Sequence, residues 1–232
     1  MARSAGIESG IVSYEPDELV LRVLAGTTLT EVGEVLRARG QRLRIPLIGT
    51  VGGAIATRRN GIHPADNNGL PNIVLMLRAI DGSGTEFTAG GPTVKNVSGF
   101  DLVKLLVGSW GTLATITEAT VRTEPIPASS RWWKGAGPVE ALFRPSVVWP
   151  LGDEFLVNIE GHPADVDSQA NLLRGFTEIE APSAEEELAL AGGRLNQPVD
   201  SGPGFEICRR LKSSFDPDNN LNPELSLKWN LV

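Results

Sequence analysis

Few side chains in this sequence are of types that do chemistry unaided. The histidines are His63 and His162, and neither sits at metal-ligand spacing from another candidate, so no histidine-based metal centre is expected. Cys208 is the single cysteine, which rules out an internal disulfide and any cysteine-built metal site. Glycine is the more informative residue here. In Thr50-Val51-Gly52-Gly53 two glycines follow a threonine, and glycine allows backbone to approach a ligand closely or to adopt dihedrals that other residues avoid. Such a pair reads either as an ordinary tight turn or as a place where backbone N–H groups meet an anionic group.

The elements that would position these residues follow from periodicity. Glu18 to Ala25 is dense in Leu and Val, ends at Gly26 and reads as a largely buried strand. Thr28 and Glu31 have capping-box spacing, Leu29, Val32, Val35 and Leu36 recur at helical intervals, and Gly40 stops the helix. The run from Asn72 to Ile80, the turn Asp81-Gly82-Ser83-Gly84 and the segment Thr85 to Thr88 predict a β-hairpin. Ser98 to Val107 reads as a short apolar helix ended by Gly108, and Thr112 to Thr123 as a strand closing at Pro125 and Pro127.

Composition changes near Pro125. Between Pro127 and Phe205 there is room for one strand, Phe155 to Glu160, and two helices, around Asp165–Leu173 and Ser183–Ala191. Trp132-Trp133 is expected to pack between domains, Gly192-Gly193 and Pro198 to Gly204 to connect, and His63 to be solvated in a polar loop. Cys208 reads as a small buried hydrophobe. A helix-like stretch then runs to Lys212, followed by a turn-rich tail.

With 232 residues, 41% hydrophobic and 21% charged, the chain can bury a real core in one large domain or two small ones. Its net charge of −7 argues against non-specific nucleic-acid binding, which needs a basic face, but not against an anionic cofactor held by backbone N–H groups. No apolar run approaches the length of a membrane-spanning helix, and Met1 to Gly6 lacks a signal-peptide core, so a cytoplasmic protein is expected.

Three segments, taken in order, resemble the FAD domain of the vanillyl-alcohol oxidase and p-cresol methylhydroxylase (PCMH) type, with the nearest likeness to the FAD-binding subunit of bacterial glycolate oxidase. They are Gly49-Thr50-Val51-Gly52-Gly53-Ala54-Ile55-Ala56; Gly90-Gly91 with Val94-Lys95-Asn96-Val97-Ser98-Gly99-Phe100-Asp101-Leu102, running on through Gly108-Ser109-Trp110-Gly111-Thr112-Leu113; and Ile116-Thr117-Glu118 to Arg122 and Pro125. The tail Leu211-Lys212…Phe215-Asp216-Pro217…Leu221-Asn222-Pro223 also looks like the end of such oxidases, where the chain returns to the FAD domain. Lys95-Asn96 reads equally as turn residues or as residues that hold the fold together.

The resemblance implies an α+β, PCMH-type FAD-binding fold, a mixed or antiparallel sheet flanked by helices, with a reduced cap. The implied division is residues 1–127 for the FAD-binding domain, 128–204 for the cap and 205–232 for the returning segment. FAD is the implied cofactor, with Thr50, Gly52, Gly53, Ala56 and Ile116 as its contacts. The implied activity is oxidation of a small 2-hydroxy acid such as glycolate, by hydride transfer to flavin, beside a second flavoprotein and an iron–sulfur protein. The catalytic base is unassigned. Relatives carry a glycine-rich phosphate loop in an N-terminal lobe and a larger cap, and neither is recognisable in this sequence. The alternative is therefore a non-catalytic remnant or assembly subunit that no longer holds FAD.

Overall fold

The computed structural model describes residues 7–63, 69–91, 101–192 and 203–232. β1 (Ile11–Glu15) pairs with β2 (Val20–Leu24), in which Leu21 and Val23 are buried. β2 starts later than its composition suggests, because Pro16 opens a 3-10 turn over Pro16–Glu18 and Leu19 has a φ of 57°. α1 (Leu29–Arg37) buries Leu29, Val32 and Leu36, and Thr28 accepts the Glu31 N–H at 3.2 Å, one limb of the expected capping box. Gly40, at φ +67°, turns the chain into β3 (Gln41–Arg42). α2 (Val51–Ala56) then presents Val51, Ala54 and Ile55 to the core.

α3 (Leu70–Ile73) takes Asn72 and Ile73 from the predicted strand, because Pro71 suits a first helical turn. β4 (Val74–Asp81) and β5 (Glu86–Gly90) form the expected hairpin. The Asp81 carboxylate accepts the N–H groups of Ser83 and Thr85 at 2.9 Å and so shapes the turn. α4 (Leu102–Leu106) is capped by Asp101; the predicted start at Ser98 lies outside the described residues. β6 (Ala114–Arg122) forms the middle of a five-stranded sheet of order β1-β2-β6-β4-β5, with every pair antiparallel. β7 (Glu124–Pro125) pairs with β3. Sheet residues such as Leu77 and Val121 pack on α1, α2 and α4 in one core, where each fully buried Leu contributes roughly 2 kcal/mol.

The next segment corrects the expectation of one strand. β8 (Ser129–Gly135), β9 (Val147–Leu151) and β10 (Glu154–Gly161) are followed by α5 (Pro163–Ala170), β11 (Phe176–Ile179) and α6 (Ala184–Ala191). The strands form an antiparallel sheet of order β11-β8-β10-β9. β9 was hidden by Pro150, tolerated because β9 lies at an edge, and β11 by its exposed residues. Trp132 and Trp133 are consecutive on β8 and therefore point to opposite faces. Trp133 packs with Val157, Ile159 and Val166 under α5, whereas Trp132 packs with Leu156, Val147 and Ile62 from the loop after α2. Only one of the pair therefore reaches the loop that follows α2.

A carboxylate fastens the same junction. Glu160 of β10 accepts Arg42 Nη1 and Nη2 at 2.8 and 2.6 Å, while Glu124 accepts the Nε of Arg42 and of Arg44 at 2.8 and 2.9 Å. Burial pushes the Glu160 carboxyl up, but the hydrogen bonds and charge of Arg42, with the charge of Arg44 and a bond from Ser130, hold it at about 2. A depressed folded-state value adds stability above the ordinary value of 4.5 that is lost as pH falls towards 2. Glu160→Gln is expected to cost on the order of 3 kcal/mol at pH near 7 in urea melts. That cost should shrink as the pH is lowered from 4.5 towards 2, and a pH-independent difference would contradict the assignment.

The chain then returns to the first sheet through α7 (Pro203–Phe215) and α8 (Pro223–Lys228). Pro203 and Gly204, expected in a connecting loop, are the first residues of α7, and the turn-rich tail also contains α8. Among the described residues, no helix is long and apolar enough to cross a membrane, and no group of three or more His, Cys, Asp or Glu side chains is placed to hold a metal ion.

Candidate cofactor site

Thr50 is the N-cap of α2: its Oγ1 accepts the Gly53 N–H at 3.1 Å, which leaves the hydroxyl proton to donate. The two glycines after it do different things. The Gly52 N–H donates to the Ala25 carbonyl at 2.9 Å, and a Cβ there would lie 2.8 Å from Ala25 Cβ. Gly52 thus lets the helix sit against the end of β2. Among the described residues outside its own helix backbone, a Cβ on Gly53 would meet only Thr50 Oγ1, at 3.0 Å, so this glycine opens outward.

The C-terminal end of α2 is held by the loop that joins α4 to β6. Gly108 donates to the Ile55 carbonyl at 3.0 Å and Trp110 to the Ala56 carbonyl at 2.8 Å. Gly108 (φ +88°) and Trp110 (φ 56°) adopt left-handed conformations that aim both N–H groups at the helix. Ile116 lies on β6 opposite Ala79, with its side chain 5% exposed in the core beneath α2. Thr50, Gly52, Gly53 and Ala56 therefore share one helix, and Ile116 belongs to the strand on which that helix rests. Gly90 (φ +81°) is packed so closely that a Cβ would lie 2.2 Å from the Leu75 carbonyl oxygen. Val94 to Phe100, including Lys95-Asn96, lies outside the described residues.

These geometries accompany clear sequence relationships. No protein-family model matches the chain. It is 37% identical over 126 residues to the glycolate oxidase subunit GlcE of Escherichia coli K12, covering 52% of this chain and 36% of that protein. It is 49% identical over 76 residues to a D-lactate dehydrogenase of Archaeoglobus fulgidus, covering 33% and 17%. The glycolate oxidase subunit GlcD of Bacillus subtilis is 34% identical over 84 residues, covering 36% and 18%. This chain is a homologue of the glycolate oxidase subunits. It spans about a third of the GlcE protein's length and less of the other two. Among solved structures, an alkyldihydroxyacetonephosphate synthase superposes with a TM-score of 0.58 at 16% identity, over 78% of this chain and 44% of that one. The fold is the PCMH-type FAD-binding fold.

Several residues of interest escaped the sequence reading. Ser109, in the loop that grips α2, has a buried Oγ with no hydrogen-bond partner among the described residues. Its signal was its place between Gly108 and Gly111. An open glycine face and an unsatisfied hydroxyl beside one helix fit a polar ligand better than a closed core does. His63, expected in solvent, is 11% exposed: it lies edge-on to Trp132 at 6.4 Å, with Nε2 3.6 Å from Glu187 Oε2. The neighbouring Ile62, 2% exposed, carries it into the junction. Cys208 is half-buried rather than buried.

Proposed function

We propose that this chain binds FAD on the outward side of α2 and serves as the flavin-binding part of an oxidoreductase acting on a small 2-hydroxy acid. The carrying observation is that Gly53 on α2 opens outward while the loop gripping the far end of the same helix holds a Ser109 hydroxyl unpartnered among the described residues, in a chain related to glycolate oxidase subunits. Gly53 and Thr50 would meet the cofactor directly. Gly52 would act by seating the helix, and Ala56 and Ile116 would border the site through backbone. When bound, the flavin supplies the acceptor for a hydride from the carbon bearing the substrate hydroxyl. The protein's part is to hold the ring system and keep it oriented. In this reading, residues 1–127 form the cofactor domain, 128–204 a cap built on the four-stranded sheet, and 205–232 the returning segment. A second flavoprotein and an iron–sulfur protein are the proposed partners.

A second reading is an assembly subunit without flavin. It is favoured by the pairing of Arg42 and Arg44 with Glu124 and Glu160, which commits these junction arginines before any substrate carboxylate arrives. Purification with excess FAD, removal of free cofactor and a visible spectrum separate the two. The flavin reading expects the two visible bands of an oxidised flavin; a colourless, folded protein would sink it.

A further inference from the structure

Lys212 is 0% exposed, yet its ammonium is fully occupied. It donates to the Thr112 carbonyl at 3.0 Å, to the Leu221 carbonyl at 2.9 Å and to the Asp216 carboxylate. Asp216 is equally buried and also accepts the N–H groups of Asn220 and Leu221, each at 2.8 Å. A buried ion pair is a poor route to stability compared with apolar packing, so its retention calls for a geometric reason. One end of this pair grips the α4–β6 loop that holds the C-terminal end of α2. Thr112 closes the same turn whose Gly108 and Trp110 N–H groups hold the Ile55 and Ala56 carbonyls, and its own N–H donates to the Ser109 carbonyl at 3.0 Å. Asn222, just beyond the pair, donates to the Trp110 carbonyl at 2.8 Å, and Trp229 of the same segment meets Trp110 edge-on at 5.7 Å.

We propose that Lys212, with Asp216, is a positioning residue for the candidate cofactor helix: the C-terminal segment holds the 108–112 loop, and through it α2 and the Ser109 hydroxyl, in ligand-ready geometry. The proposal rests on the flavin reading above and adds a part of the chain far from α2 in sequence. A fully bonded ammonium has little freedom, so the carbonyl it holds has little too. The loop amides transmit that constraint to the helix end, because each is the partner of one α2 carbonyl.

The test uses the full chain with Lys212→Met and Asp216→Asn together, which removes both charges so that neither is left buried alone. Two quantities are read: FAD affinity by titration of flavin fluorescence, and amide hydrogen exchange at Gly108 and Trp110. The expected result is a folded variant that binds FAD at least about tenfold more weakly, with exchange at both amides accelerated by a similar factor. A folded variant with unchanged affinity and unchanged exchange overturns the proposal. Should the double variant not fold, Asn222→Gly removes the parallel bond to Trp110 while accommodating the 45° φ at that position. It should produce a smaller change in the same two readouts, and no change in either would likewise overturn it. If the wild-type protein takes up no FAD, the flavin reading fails by itself. Exchange at the two amides then decides whether the relay exists.

Discussion

Replacing Lys212 by methionine alone is expected to cost about 3–5 kcal/mol, enough to consume much of the stability of an ordinary domain. Methionine fills a similar volume, so the loss does not come from a cavity. It comes from Asp216, whose carboxylate would remain fully buried with two backbone N–H donors but no countercharge. The carbonyls of Thr112 and Leu221 would lose their donor together. Denaturant unfolding at neutral pH measures the effect directly. The double change with Asp216→Asn should recover a large part of it, because the stranded charge is then gone. A single variant as stable as wild type would mean that the buried pair contributes nothing.

The second large effect separates two adjacent glycines. Gly52→Val places branched carbon against Ala25, where a Cβ would already lie 2.8 Å from another Cβ and 3.2 Å from a carbonyl oxygen. Neither group belongs to a flexible side-chain end, so α2 must move off β2, at a cost of about 1–3 kcal/mol or more. Among the described residues, Gly53→Val meets the cap oxygen of Thr50, which must give by a few tenths of an ångström. It should leave thermal stability and far-ultraviolet dichroism near wild type. Flavin affinity should fall at least about tenfold, roughly 1.4 kcal/mol, because the side chain grows into the open face. Thermal melts and FAD titrations of the two variants check this crossed pattern. If Gly53→Val holds flavin as well as wild type, α2 does not face the cofactor.

How much could be read beforehand differs from element to element. α1, the β4–β5 hairpin and β6 were legible because their signals are local: a threonine before a 3.6-residue apolar pattern, Asp-Gly between apolar runs, a β-branched stretch. β8, β9 and β11 were not, because their residues are polar, interrupted by proline or exposed at an edge. They become strands by pairing with β10 and with one another rather than by propensity. The glycines of the candidate site were visible as residues, but their separate tasks were not. Ser109 and the Lys212–Asp216 pair were quoted only within motifs, since a Lys and an Asp four apart on a helix ordinarily form a solvated surface pair.

By itself, the sequence determined the types of most elements, the likeness to flavin-linked hydroxy-acid oxidoreductases and the glycine pair of the candidate site. Tertiary structure alone decided that the glycines ride on a helix, which of them faces outward, that Trp132 meets His63 and Ile62 of the loop after α2, and that Lys212 is buried. The reason is range. Capping and periodicity act over three or four residues, whereas the Lys212 ammonium is satisfied by a carbonyl 100 positions away, and burial there is a property of the assembled fold.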